Sequence, residues 1–143
     1  MSGFSPEVRE SLLKAGWTPG RRVDTVRWTS GFTAAGLPPH AAAVEFLAEF
    51  GGLSFSPVDD WSLGSRFEFD PLLCIGEEDR FHEWSADLGS RLFPLGEFDG
   101  GRYFLGIDEE RTVYLVETWL ASFGRGPQAV ENLIRRVPPE NVL

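Results

Sequence analysis

A glycine pair directly after an apolar helical stretch does most to limit how this chain can fold. The pair lies in the segment Phe50-Gly51-Gly52-Leu53. Glycine adopts the left-handed backbone conformation without the steric penalty of a Cβ atom, so a pair in this place ends a helix. We therefore predict a positive φ at Gly51 or Gly52, with helical structure before the pair and extended structure after it.

Three helices are predicted before the glycine pair. The first begins at Ser5-Pro6-Glu7, which combines an N-cap hydroxyl, a proline and an acid, and it ends at Gly16. The second follows the N-cap candidate Asp24 and ends at Gly36, and the third begins at Pro38-Pro39. Helical spacing predicts a set of inward-facing residues: Val8, Leu12, Leu13, Trp28, Phe32, Ala35, Ala43, Val44, Leu47 and Phe50.

Short extended segments dominate the chain after the glycine pair. Alternating patterns predict strands at residues 53–55, 66–69, 92–96, 103–107 and 112–116. A fourth helix at residues 77–88 interrupts them. A closing helix is predicted at residues 127–137, where Pro138 and Pro139 end it, and its inward-facing residues are Val130, Leu133, Ile134 and Val137.

This order of elements predicts the α+β class, with helices packed on a mainly antiparallel sheet of about five strands. A doubly wound sheet would need regular βαβ alternation, which the pattern lacks. We expect one domain over residues 1–143, since a chain of this length forms one ordinary core. The predicted core includes Trp17, Phe50, Leu53, Phe69, Trp84, Leu95, Leu105, Ile107 and Leu133.

The net charge of the chain limits the classes of partner that it is expected to bind. The formal net charge is −9 at pH 7, and it disfavours direct binding of nucleic acid because phosphates repel an acidic surface. The same charge would speed the encounter with a basic protein. Acidity that serves only solubility is the alternative explanation.

The sequence also predicts a cytoplasmic protein. The single cysteine, Cys74, cannot form an internal disulfide, which fits a reducing compartment, and the first residues do not resemble a secretory signal. Residues 28–44 carry no Asp, Glu, Lys or Arg, but glycines and prolines interrupt them, so we expect no membrane span there. We interpret Cys74 as a small buried hydrophobe, and a reactive thiol is the alternative.

Few residues are arranged for catalysis or for metal binding. His40 and His82 are far apart and belong to no zinc-binding pair, and the phosphate-binding and serine-nucleophile motifs are missing from the sequence. We predict no cofactor and no metal. Neighbouring carboxylates such as Asp59-Asp60 could bind a cation or hydrolyse a glycoside, but acids in turns are usually solvated.

The predicted fourth helix carries the most suggestive surface pattern. Asp79, Glu83 and Asp87 occupy positions i, i+4 and i+8, opposite the apolar face of this helix. Like charges at that spacing destabilise a helix by about 0.2–0.5 kcal/mol per pair. Two explanations stay open: a solvated face that tolerates this cost, or a surface for a basic partner. On the second, Asp59 and Asp60 are predicted to join the same surface.

Exposed aromatic residues would be a second type of partner contact, since such residues dominate protein interfaces. Trp61, Trp119 and Tyr103 are the candidates in this chain. Core packing is the better expectation for most of the other aromatic residues.

In combination, the turn and boundary segments resemble one known family. The order and spacing of five segments besides the glycine pair carry the resemblance: Ala15-Gly16-Trp17, Phe69-Asp70-Pro71, Pro94-Leu95-Gly96-Glu97, Ile107-Asp108-Glu109 and Phe123-Gly124. The chain resembles the SUKH superfamily over about residues 4–137, and most of all its third group, found among immunity proteins of bacterial polymorphic toxin systems. One departure is Arg111, which stands where the group commonly has glycine in the hairpin, so a lengthened or reshaped turn is expected there.

The resemblance implies a curved sheet packed by helices and a protein that binds and neutralises a cognate toxin without being an enzyme. Toxins in that family are often nucleases or nucleic-acid deaminases, whose surfaces must be basic. Two alternatives remain: an intracellular scaffold or regulatory module of the same fold, and a small carboxylate-dependent enzyme. A compact pocket holding two carboxylates with raised pKa would favour the enzyme. The sequence leaves the oligomeric state open.

Overall fold

The computed structural model describes residues 4–56 and 66–142. Three helices come first: α1 (Pro6–Ala15), α2 (Val26–Ala34) and α3 (Ala41–Phe50). Two short strands, a 3-10 helix and a helix follow: β1 (Ser54–Phe55), β2 (Phe67–Glu68), Pro71–Cys74 and α4 (Glu78–Leu88). The remaining elements are β3 (Phe93–Phe98), β4 (Tyr103–Ile107), β5 (Thr112–Val116), β6 (Leu120–Arg125), α5 (Gly126–Ile134) and β7 (Glu140–Asn141).

The strands form one open, curved sheet in sequence order, and each strand is antiparallel to its neighbours. The predicted α+β class is therefore confirmed. The predicted number of strands was too small, since the described residues contain seven. Strand β6 was missed because its small and polar residues, with Gly124 near its end, give little strand signal. Strand β7 has only two residues, both exposed, so no alternation marks it.

The first helix begins and ends as predicted. Ser5 has extended backbone geometry, Pro6 follows it, and Gly16 takes the left-handed conformation with φ of 110°. The Ser5 side chain does not cap its own helix; its hydroxyl donates to Glu131 of α5 at 2.8 Å, which ties the two helices together. The backbone N–H of Trp17 donates to the Leu12 carbonyl oxygen at 2.9 Å, which folds the chain back over α1.

The third helix starts three residues later than predicted. Its N-cap is His40, whose Nδ1 accepts a hydrogen bond from the backbone N–H of Ala43 at 3.2 Å. At the other end Gly52, not Gly51, has the positive φ, at 85°. Its N–H donates to the carbonyl oxygen of Phe69 at 2.7 Å, so the glycine pair joins α3 to the end of β2.

Four residues that were predicted to face the core are exposed. They are Leu13, Ala35, Val44 and Val137. Each of the short helices buries a narrow stripe, and Leu13 and Val44 lie beside that stripe. Ala35 lies just after the last residue of α2. Val137 follows α5, which ends at Ile134 because Arg136 turns left-handed and the Val137 N–H returns to the Asn132 carbonyl oxygen.

The core matches its prediction. All nine predicted core residues are buried: Trp17, Phe50, Leu53, Phe69, Trp84, Leu95, Leu105, Ile107 and Leu133. Aromatic rings connect α3 to the edge of the sheet, with Phe46 and Phe69 edge to face at a centroid distance of 5.0 Å. Within the described ranges, no helix is both long and apolar enough to cross a membrane.

The hairpin between β4 and β5 is a tight turn organised by a buried carboxylate. Asp108 accepts hydrogen bonds from the N–H groups of Glu110 and Thr112, both at 2.9 Å, and from the Tyr114 hydroxyl at 3.1 Å. Burial and the adjacent Asp108 raise the pKa of Tyr114 to about 12. Arg111 has a φ of 71°, the conformation that glycine favours. Arg111 therefore occupies a glycine-type position of this turn, and its guanidinium pairs with Glu45 at 2.7 Å. The expectation that the turn is lengthened or reshaped relative to the family stays a prediction.

Candidate partner-binding surface

Helix α4 has one face in the core and one face in solvent. Phe81 and Trp84 are buried, and the indole N–H of Trp84 donates to the Glu117 carbonyl oxygen at 3.0 Å. The Phe81 ring packs edge to face against Phe104 of β4, with 6.3 Å between centroids. These contacts set the rotation of the helix, so the side chains on its opposite face point outward.

The predicted acidic stripe lies on that outward face. Asp79, Glu83 and Asp87 are all exposed on α4. The structure thus brings these three predicted residues onto one surface. Asp59 and Asp60 lie outside the described residues, so their place beside the stripe stays a prediction.

No cation of the described chain neutralises the stripe. Nine ion pairs occur among residues 4–56 and 66–142, and none includes Asp79, Glu83 or Asp87. Arg80, on the same helix, instead contacts Glu77 and Glu117, each at 3.3 Å, and its guanidinium lies 4.8 Å from the Trp84 ring centroid. The repulsion along the stripe therefore has no compensating pair within this part of the fold.

Two of the three candidate aromatic anchors lie together. Trp119 is exposed in the turn before β6, and Tyr103 at the start of β4 is half-buried. Their ring centroids are 5.5 Å apart. Trp61 lies outside the described residues, so its role stays a prediction.

An exposed apolar run was missed by the sequence analysis. Three apolar side chains point outward just before α4: Leu72, Leu73 and Ile75. Pro71, which precedes them, and Cys74, which lies between Leu73 and Ile75, are buried. The signal was present in the sequence as consecutive apolar residues between a proline and an acidic helix start. Such a run does not by itself show which side chains face solvent.

His40 is a structural histidine in the core. Because Nδ1 accepts from Ala43, Nε2 carries the proton and donates to the carbonyl oxygens of Arg91 and Ile107, both at 3.1 Å. Burial is the largest of the effects that lower the pKa of His40. The neutral ring is thus the form that fits the fold, and this histidine joins α3 to the sheet and to the segment before β3.

The lowered pKa of His40 predicts a loss of stability in acid. The unfolded chain binds a proton at a pKa near 6.5 and the folded chain only at lower pH, so stability is lost as pH falls below about 6.5. We expect His40→Gln to be less stable than the wild type at neutral pH and the gap to narrow on acidification, by at most about 1.4 kcal/mol per pH unit. Urea unfolding at several pH values measures this. His82→Gln, at an exposed position of α4, is the control and should keep a stability at neutral pH close to that of the wild type. Parallel stability curves for His40→Gln and the wild type would contradict the assignment.

A cleft of about 210 Å³ bears on the carboxylate-enzyme alternative. Glu68 and Glu97 line it from directly opposite positions of β2 and β3. Burial raises the pKa of Glu97, as do the charges of Glu68 and Asp70. Glu68 lies 3.7 Å from the guanidinium of Arg66, so its charge is balanced by a cation. The described residues lining this cleft include no histidine, cysteine or serine that could act together with Glu97.

The remaining candidate for reactivity or metal binding is Cys74, which is fully buried. Its thiol donates to the Gly96 carbonyl oxygen at 3.3 Å, and burial raises its pKa well above the ordinary value. Both features keep the thiol protonated and unreactive, as the buried interpretation predicted. Across the described ranges, no group of three or more His, Cys, Asp or Glu side chains is placed to hold a metal ion.

The fold and the exposed acidic helix define a class: an acidic α+β protein built on one open antiparallel sheet. The chain belongs to the SUKH-3 immunity protein family, whose model matches residues 4–136. The resemblance to the third SUKH group is confirmed, and membership implies a role in immunity to a toxin. Among curated proteins and among solved structures, none matches the chain.

Proposed function

We propose that this protein neutralises a basic toxin, a nuclease or a nucleic-acid deaminase, by binding it in the cytoplasm without catalysing a reaction. The contact surface includes Asp79, Glu83 and Asp87, joined by Asp59 and Asp60. The observation that carries the proposal is the exposed stripe on α4, which has no compensating cation in the described part of the chain.

The energetics of the stripe favour a partner over a purely structural role. Two like-charge pairs at i, i+4 spacing destabilise α4 by about 0.2–0.5 kcal/mol each. A basic surface placed against the stripe turns that repulsion into attraction. Enzymes that act on nucleic acid need such a basic surface to hold phosphates. An acidic inhibitor can therefore occupy the surface that the substrate would use.

Charge reversal of the stripe tests the proposal. The probe is a toxin domain encoded beside the gene of this chain, sought as the C-terminal domain of a large secreted protein. We expect the triple variant Asp79→Lys, Glu83→Lys, Asp87→Lys to associate with this domain at least about 10-fold more slowly, with a much weaker salt dependence. Stopped-flow fluorescence at several salt concentrations measures both quantities. The free energy of unfolding should change little, because the three side chains are exposed.

The matched control reverses three exposed acids away from α4: Glu7→Lys, Glu10→Lys and Glu140→Lys. Both variants change the net charge equally. A difference between their association rates therefore reports the position of the stripe and not the total charge of the protein. Screening limits each charge to a reach of roughly 8 Å at physiological ionic strength, and the control should therefore slow association far less. Equal effects of the two variants would remove the stripe from the interface.

Protection of cells tests the immunity role itself. Bacteria that express the toxin domain should survive when the wild-type chain is co-expressed, and survival should fall with the stripe variant. Binding without any protection would instead indicate a scaffold or regulatory role of the same fold.

A further inference from the structure

Three large aliphatic side chains form an exposed patch immediately before α4. Leu72, Leu73 and Ile75 are exposed to 43%, 36% and 61%. The described residues include nine exposed large hydrophobic residues, and three of these nine lie within residues 72–75. Contiguous apolar exposure of this kind marks interaction sites more often than scattered single residues do. We call these three residues the aliphatic patch.

The aliphatic patch is held in a rigid segment. The Asp70 carboxylate accepts from the N–H of Leu72 at 3.1 Å, and the N–H of Ile75 donates to the Leu72 carbonyl oxygen at 3.3 Å. Buried Cys74 fastens the middle of the segment to β3 through the Gly96 carbonyl oxygen. A surface that is already ordered loses little conformational entropy on binding, so its apolar contacts contribute more to affinity.

Acidic residues surround the aliphatic patch along the chain. Asp70 precedes it, and Glu77 and Glu78 lead from it into the stripe on α4, so the patch and the stripe are continuous along the chain. Arg80 pairs with Glu77 and Glu117, so within the described ranges Asp70 and Glu78 are the acids beside the patch that form no ion pair. An apolar centre with a charged rim is the usual anatomy of a protein interface. The complementary partner has an apolar protrusion within a basic surface.

A second copy of this chain fits the patch poorly. Each copy carries a net charge of −9, and joining two patches would also bring their acidic rims together. A basic protein meets the same rims with attraction. The charge therefore selects one occupant among the proteins that could cover an apolar surface.

We infer that the aliphatic patch is the apolar centre of the toxin interface and that the α4 stripe is part of its charged rim. This inference rests on the proposed function and assigns different kinetic roles to the stripe and to the patch. The stripe accelerates association through electrostatic attraction, and the patch slows dissociation through apolar burial.

The test compares dissociation rates from the same toxin domain. The variant Leu72→Gln, Ile75→Gln should dissociate at least about 10-fold faster, with an association rate and a salt dependence like those of the wild type. The control Leu13→Gln, Val137→Gln changes two other exposed aliphatic residues, 47% and 42% exposed against 43% and 61% for Leu72 and Ile75, and should keep the wild-type dissociation rate. Thermal unfolding of both variants should stay close to the wild type, because all four side chains are exposed.

The possible outcomes separate the two proposals. Faster dissociation of the patch variant alone supports the inference. Wild-type dissociation of the patch variant, combined with slow association of the stripe variant, overturns the inference and leaves the proposed function standing. Failure of the wild-type chain to bind the toxin domain overturns both. Sedimentation that shows a wild-type dimer and a monomeric patch variant identifies a second copy as the occupant and also overturns the inference.

Discussion

Replacing Gly96 by alanine is expected to lower the free energy of unfolding by at least about 3 kcal/mol. A Cβ atom at this position would overlap the carbonyl oxygen of Glu68 and would lie 2.8 Å from the backbone nitrogen of Asp70. Both obstacles are main-chain atoms of the neighbouring segment, which cannot rotate away as a side chain would. The chain around β2 would have to separate from β3, at a place where the register of β3 also shifts.

Gly31→Ala is the matched control for this substitution. Gly31 lies inside α2, and a Cβ atom there meets nothing within 4 Å. Alanine should therefore stabilise the helix by about 0.5–1 kcal/mol. Urea unfolding of both variants measures the contrast. If Gly96→Ala unfolded at the wild-type midpoint, the close approach of β2 to β3 would be wrong.

Trp84→Ala is expected to lower the free energy of unfolding by about 3–5 kcal/mol. The indole is the large buried side chain of α4 beside Phe81, and their centroids are 4.9 Å apart in an edge-to-face contact. Its removal leaves a cavity between α4 and the sheet. It also removes the hydrogen bond to the Glu117 carbonyl oxygen and the ring beneath the Arg80 guanidinium.

A smaller substitution separates the contributions of the Trp84 side chain. Trp84→Phe keeps an aromatic ring but loses the indole N–H and its hydrogen bond to Glu117, which accounts for about 1 kcal/mol. It should therefore cost much less than Trp84→Ala in a thermal or urea unfolding experiment. An unchanged denaturation midpoint for Trp84→Ala would show that the buried face of α4 is assigned incorrectly.

According to these predictions, the two faces of α4 can be changed independently. Substitutions of Trp84 should change stability, whereas charge reversal at Asp79, Glu83 and Asp87 should change association with little effect on folding. Under the proposed function, this separation would let the outer face vary to match a toxin while the inner face preserves the fold. The same reasoning applies to the segment before α4, where Cys74 faces the core and Leu72 and Ile75 face solvent.

Local chemistry was enough to predict many of the elements and much of the core. Helix α1 begins at Pro6 and is ended by Gly16, and Gly52 has the predicted left-handed conformation. These features could be predicted because backbone sterics act within one or two residues. The stripe on α4 was also accessible from the sequence, since side chains at i, i+4 and i+8 share a helix face whatever the helix packs against.

Tertiary contacts decided the features that spacing does not encode. The outward direction of Leu72 depends on Cys74 being anchored to β3, and the strand at β6 depends on pairing with β5 more than on its own residues. Arg111 keeps a glycine-type φ in a turn organised by buried Asp108. The sequence alone therefore predicted the five helices, five of the seven described strands and the acidic helix face. Only the three-dimensional packing decided that Arg80 pairs with Glu77 and Glu117 and not with the acidic stripe, so that the stripe has no cation partner in the described fold. Local spacing offers Arg80 several carboxylates, and contacts between distant segments select among them.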